Sequence, residues 1–386
     1  MLAKYISTLS MLALSLGMCL QGQDTQNEII CGAKNAASAP QGFHEDWSQG
    51  ISPQRWYLLR KVWGAGNNGC VPELVSVQSD AVDGVTKNVV VVTNQGNQTT
   101  SSIMGVKKVG GGYVKGTSPK RVGGCLATVD YFASGTYEIK MKVGRPKNAP
   151  NAAPKGLCPA IWTFHYEEHY PSANDPKGVA INPKDPLYQP RFKEGSDADG
   201  YYSTVNSEID APELGKGGNL NLGLYTTYVS EVVANTQGFD LTKFGINVLD
   251  NKYHTYKFVW KTKLQSTALT DKQVILKNGY YYVANNATSP IQGFPAIKKA
   301  DGIWYVYKGA SVTFYVDGKL VGKSTSNVSP VSARLLVGGW FPSWAGTPNW
   351  DETKLYISDI TITPSNDPGD VFFQPESYPL DGMVSP

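Results

Sequence analysis

The chain has 386 residues, a formal net charge of +3, and only 17% charged residues. So small a charge balance, without any block of Lys or Arg, argues against nucleic acid or an anionic membrane as the main partner. The 40 glycines, 22 tyrosines and 41% apolar content favour a turn-rich, all-β globule with a sizeable core over a helical protein.

Residues 1–22 have the pattern of a signal peptide. Lys4 gives a positive start, Ile6 to Met18 form an apolar run too short to span a bilayer, and the chain turns polar at Gln21. Cys19 leaves a lipid anchor as the alternative, so the expected location is secreted, or cell-surface and periplasmic. No later stretch is apolar enough to be a transmembrane segment. Residues 23–41 are polar and Ala-rich and are expected to be a linker.

Residues 42–365 are expected to form one domain. Val89 to Val92 is a short β-branched run. Tyr137, Ile139, Met141 and Val143 alternate with Glu138, Lys140 and Lys142, giving one buried and one wet face. Tyr256, Phe258 and Trp260 alternate in the same way. Val312, Phe314 and Val316 run into Asp317-Gly318, the turn pair of a tight hairpin. Leu355 to Ile362 makes a last strand. Many short strands and no long helical period predict a sandwich of two antiparallel sheets. Three stretches, 146–155, 167–203 and 264–302, read as long surface loops. The tail 366–386, with prolines 368, 375, 379 and 386, is expected to run extended over the surface. Outside the leader, Cys31, Cys70, Cys125 and Cys158 match no metal-binding spacing. One or two disulfides and buried free thiols both remain open.

The chemistry concentrates in Asn206-Ser207-Glu208-Ile209-Asp210-Ala211-Pro212-Glu213. On a strand, residues two apart share a face, so Glu208 and Asp210 point one way while Val205, Ile209 and Ala211 point into the core. Strict alternation would put Glu213 on the apolar face, where a carboxylate is costly. A β-bulge returns it to its companions, and Pro212 supports one, because proline inside a sheet is confined to edges, strand starts and bulges. Three acids on one face cannot all ionise freely. That separates an ionised from a protonated carboxyl, the division of labour that breaks a glycosidic bond with retention when the two groups lie roughly 5–5.5 Å apart. Glu208 is assigned as nucleophile, Glu213 as acid/base and Asp210 as the group that tunes the nucleophile. A solvated acidic face or a calcium site would use the same residues. The carboxylate chemistry requires no cofactor, although a structural calcium is compatible with it.

The stretch Glu208 to Glu213 resembles the E-[ILV]-D-x-x-E motif of glycoside hydrolase family 16 in its bulged form, found among laminarinases and agarases. Pro159-Ala160-Ile161-Trp162 is similar to the W-P-A-x-W strand of that family. Tyr253-His254-Thr255-Tyr256 with Trp260, Phe314 to Lys319, and Val337-Gly338-Gly339-Trp340 with Trp344 resemble its later segments in the same order. Trp63-Gly64 with Asn67-Asn68 is similar to its Gly/Asn loop. The resemblance covers most of residues 43–364. It implies a β-jelly-roll sandwich with a concave aromatic cleft and retaining, endo-acting hydrolysis of a β-linked polysaccharide or oligosaccharide, by a monomer. Cys158 stands where the family often has Trp, and Tyr228 and its neighbours replace a frequent His.

A sugar ring stacks its apolar face on an aromatic ring while its hydroxyls take hydrogen bonds. Trp162, Trp340 and Trp344 are the stacking candidates; His165, Asn206 and Asn68 are candidates for polar contact. His165 to His169 also spells H-x-x-E-H, but that zinc motif needs a helix, and Pro171 leaves no room for one. The rival functions are a non-catalytic carbohydrate-binding sandwich and a transglycosylase using the same acids. The sugar is not identified: glucans, galactans and mucin-type host glycans all fit.

Overall fold

The computed structural model describes residues 40–60, 68–97, 106–109, 112–115, 121–149, 152–170, 179–180, 203–215, 220–228, 235–263, 265–267, 274–277, 280–284, 290–298, 304–306, 310–370, 372 and 383–384. Among these residues the secondary structure is β-strand and short 3-10 turns, and none of it is α-helix. The fold is the expected two-sheet antiparallel jelly-roll sandwich.

The first sheet runs in the order Lys319–Ser324, Ser311–Val316, Tyr253–Lys261, Gly135–Val143, Glu352–Pro364, Val85–Gln95, Arg121–Gly123 and Asn68–Cys70. Its pairings are antiparallel except the last, which is parallel. The second sheet runs Asn235–Asp240, Asn221–Tyr228, Ser203–Leu214, Cys158–Tyr170, Arg334–Trp340, Cys125–Thr128, Trp56–Leu59 and Met383–Val384. The last of these belongs to the tail, so at least two tail residues enter the sheet instead of only lying over it.

The period-2 patterns explain how the sheets meet. Tyr137, Ile139 and Met141 from the first sheet and Ile161, Ile209, Leu224 and Val337 from the second fill one core between them, each fully buried. Tyr137 faces Phe258 across two strands, and their rings stack at 4.4 Å, a geometry that adds about 0.5–1.5 kcal/mol beyond burial. Asp317 and Gly318 both take positive φ, 49° and 75°, as a two-residue hairpin of the primed type requires.

Two of the expected loops contain strand. Cys158–Tyr170 runs into the stretch read as the 167–203 loop and pairs there with Val179–Ala180. The stretch 264–302, read as a loop, instead carries most of a separate five-stranded sheet in the order Gln265–Thr267, Trp304–Val306, Pro290–Lys298, Tyr280–Ala284, Val274–Lys277. The sequence held the signal: Val274-Ile275-Leu276-Lys277 and Tyr280-Tyr281-Tyr282-Val283 flank Asn278-Gly279, the strongest short-range hairpin signature.

Candidate active site

The acid strand, Ser203–Leu214, lies between Cys158–Tyr170 and Asn221–Tyr228. Glu208 faces Phe164 and Asp210 faces Trp162, but Glu213 faces Ala160. Three steps on the acid strand therefore match two on its neighbour. The other flank shows the same offset: Asp210 faces Tyr225 and Glu213 faces Gly223. One extra residue has been inserted on the acid strand, as a β-bulge does. The insertion falls at Ala211-Pro212, whose peptide bond is cis. Ile209, Ala211 and Leu214 enter the core, while Glu208, Asp210 and Glu213 share the outer face of the sheet.

Residues facing each other across an antiparallel sheet point to the same side, so the acids continue into rows. One row holds Glu208, Phe164 and Arg334. The next holds Tyr225, Asp210, Trp162, Leu336, Ala127 and Tyr57. The third holds Gly223, Glu213, Ala160, Gly338 and Cys125. On the same face, beside the acids, lies a second, smaller apolar cluster built from Leu59, Cys70, Cys125, Ala127, Cys158, Ala160, Trp162 and Leu336, with Phe164 and Trp340 packed against it.

That setting shifts the acids apart. Burial holds the Asp210 carboxyl well above the ordinary carboxylate range, and the charges of Glu208 and Glu213 add to the effect. Burial also pushes Glu213 up to about 7. Glu213 leans toward the Asn221–Tyr228 strand, where a Cβ placed on Gly223 would stand 3.9 Å from its Oε2. The strand thus presents a carboxyl able to hold a proton near neutral pH alongside a second acid five residues away, on a face where water has access.

The sequence-based site residues fare unequally. Trp162 lies in the Asp210 row and is 8% exposed, most of its ring being packed into the small cluster. Trp340 and Trp344 meet edge to face at 6.1 Å, and Trp344, on the 3-10 turn Ser343–Ala345, is 39% exposed. His165 is not brought to the acids. Strand parity puts it with the buried Ile161 and Thr163, opposite in facing to Trp162 and Phe164; it is 6% exposed, and its ring meets Tyr131 edge to face at 5.4 Å. The side chains of Asn206 and Asn68 lie outside the described residues; their backbones pair with Tyr166 and Arg121. His165 to His169 forms strand rather than helix, so the zinc motif lacks its geometry.

Three residues on this face went unnoticed in the sequence, and Cys158, noted there only as a departure from the family pattern, joins them. Tyr225 faces Asp210 across the sheet. Phe164 continues the alternation that runs back through Trp162. Arg334, buried, donates from Nη1 to the carbonyl of Thr128 at 2.7 Å and also to that of Val129, with its guanidinium over the rings of Tyr131 and Tyr57. Cys158, buried, has its thiol raised above the ordinary value by burial and by the charges of Glu213 and Asp210. Extending the alternation from Trp162, two residues forward to Phe164 and four back to Cys158, was the signal for both. Cys70, Cys125 and Cys158 are free thiols, and Cys31 lies outside the described residues. No group of His, Cys, Asp and Glu suited to a metal occurs among the described residues.

No protein-family model matches the sequence, and neither does any curated protein. Among solved structures the chain is similar to a beta-glucanase of Bacillus licheniformis, at 14% identity over 84% of this chain and 99% of that one, TM-score 0.45. It is similar also to a laminarinase catalytic domain from Thermotoga maritima, at 12% identity over 86% and 100%, TM-score 0.45. A third is a glycoside hydrolase family 16 endo-glucanase from Bacteroides ovatus, at 12% identity over 83% and 99%, TM-score 0.42.

Proposed function

We propose that this chain is a retaining endo-β-glycoside hydrolase acting on a β-linked polysaccharide or host glycan, exported from the cell that makes it. The observation that carries the reading is the bulge at Ala211-Pro212, which lifts Glu213 out of the core side and sets it beside Glu208 and Asp210. In the proposed first step a carboxylate oxygen of Glu208 bonds to the anomeric carbon. The bond to the leaving oxygen breaks, and its electron pair takes the proton of Glu213. Water then yields a proton to the Glu213 carboxylate, and its oxygen displaces Glu208. Asp210, whose carboxyl is held above the ordinary range by burial and by its neighbours' charges, is the group proposed to tune Glu208. Trp340 and Trp344 hold sugar rings at the Glu213 end, and Trp162 supports Asp210 from the same row.

The test is a panel of β-glucans, galactans and mucin-type glycans with sizing of the products. Internal cleavage, lost in Glu208→Gln and in Glu213→Gln while both remain folded, is the expected result. Rapid NMR should show the β-anomer released first. Binding of a glycan without cleavage would instead identify a carbohydrate-binding sandwich, and an α-anomer would exclude Glu208 as nucleophile.

A further inference from the structure

Cys158 sits where three parts of the site converge. It faces Trp340 across the sheet and is fully buried in the small cluster against which Trp340 packs. Its S–H is directed at the carbonyl of Pro159 at 3.8 Å, and its sulfur lies within hydrogen-bonding reach of the indole N–H of Trp340 and the backbone N–H of Leu214. Leu214 is the residue after Glu213, so one sulfur touches the end of the bulged acid segment and the aromatic wall. Trp340 in turn meets Trp344 edge to face, and Trp344 is the exposed ring of the pair.

The size of the side chain matters at this position. A thiol leaves room for the Trp340 ring to settle on it, whereas a larger group would occupy that space in the cluster. A thiol sulfur is also a weak acceptor, able to orient an indole N–H without demanding water. The two contacts act together: one sets the plane of Trp340, and the other fixes the backbone from which Glu213 projects.

Building on the glycosidase reading above, we propose that Cys158 is a positioning residue that locks Trp340 to the acid/base segment, so that a sugar unit seated on Trp340 presents its glycosidic oxygen to Glu213. The thiol takes no part in bond-making. It sets the register between the ring that holds the leaving-group sugar and the carboxyl that protonates the oxygen next to it.

A double-mutant cycle tests this on whichever polysaccharide the panel shows the parent enzyme to cleave. Cys158→Ala should raise KM about fivefold, the scale of one net hydrogen bond, and change kcat less. Trp340→Phe should raise KM by a similar factor. The double variant should be no worse than the poorer single one, because the residues act as one unit. Cys158→Ser, which keeps an acceptor, should recover part of the loss. Melting temperatures of all variants establish that they fold; if Cys158→Ala does not fold, the Ser variant and the Trp340→Phe/Cys158→Ser pair carry the cycle. Independent, multiplying effects on KM, or an unchanged KM in Cys158→Ala, would overturn the inference and leave the glycosidase reading standing. A parent enzyme that cleaves no glycan would overturn both.

Discussion

At the scale of single residues, one raised carboxyl, Glu213, bears on both activity and stability. Glu213 must carry a proton to act as an acid, and it titrates at about 7. The alkaline limb of kcat/KM should therefore fall as pH rises through that value, and Glu213→Gln should have no such limb because it has no activity; a pH-rate profile checks both. The stability effect follows by linkage. The folded-state value lies above the ordinary 4.5, so the folded chain holds this proton more tightly than the unfolded chain. The associated stability is full below about 4.5 and is lost as pH climbs to about 7. Glu213→Gln cannot ionise and escapes that loss. Above neutral pH it should be more stable than the parent by about 0.5–2 kcal/mol, measured by thermal or urea unfolding. His165 illustrates the limit of reading single residues from sequence. One step of strand parity separates a side chain on the acid face from one turned away from it, and a motif match gives no parity.

At the scale of elements, the bulge was legible because two rules conflicted in six residues. Alternation sent Glu213 inward, burial of a carboxylate forbade it, and Pro212 marked where the ladder could give way. The sheet at 265–306 was equally written in its sequence, in the Asn278-Gly279 hairpin, but long polar stretches around it outweighed that dipeptide. What no local pattern could reveal was which strands lie side by side. Gly123 faces the backbone of Gly339, where the chain passes from one sheet to the other, and an added Cβ would stand 2.1 Å from the Gly339 carbonyl oxygen. No side chain can relieve a clash with backbone, so Gly123→Ala should cost about 1–3 kcal/mol or prevent folding, read from denaturant midpoints. Gly339 is under the same constraint from Asn94, whose Oδ1 would lie 2.1 Å from its Cβ. This pinch lies on the same stretch of strand as Trp340 and bears on its placement.

Across the whole molecule, the segment after the last long strand fastens the first sheet. Asp370 accepts hydrogen bonds from the backbone and hydroxyl of Ser134 and from the Thr262 hydroxyl. Asp367 accepts from the Thr262 backbone and donates its own N–H to Ser134 Oγ at 2.9 Å. Ser134 precedes one central strand and Thr262 follows its neighbour, so these two aspartates tie both strand ends to the tail. Asp370→Ala leaves several donors without their acceptor and should cost about 1–3 kcal/mol, with little effect on the acids on the opposite sheet; unfolding midpoints beside KM and kcat would separate the two. The sequence predicted an extended tail from its prolines, yet nothing in composition could announce that two aspartates would carry its attachment.

The five-stranded appendage leaves and rejoins the frame at neighbouring points. Lys261 and Ser311, the residues that bracket it, face each other in one ladder, so entry and exit are as close as the two stems of a hairpin. Excising 263–309 and closing the gap with a short turn should therefore leave the sandwich folded, at the loop-closure cost of a few residues; the unfolding midpoint of the shortened chain checks this.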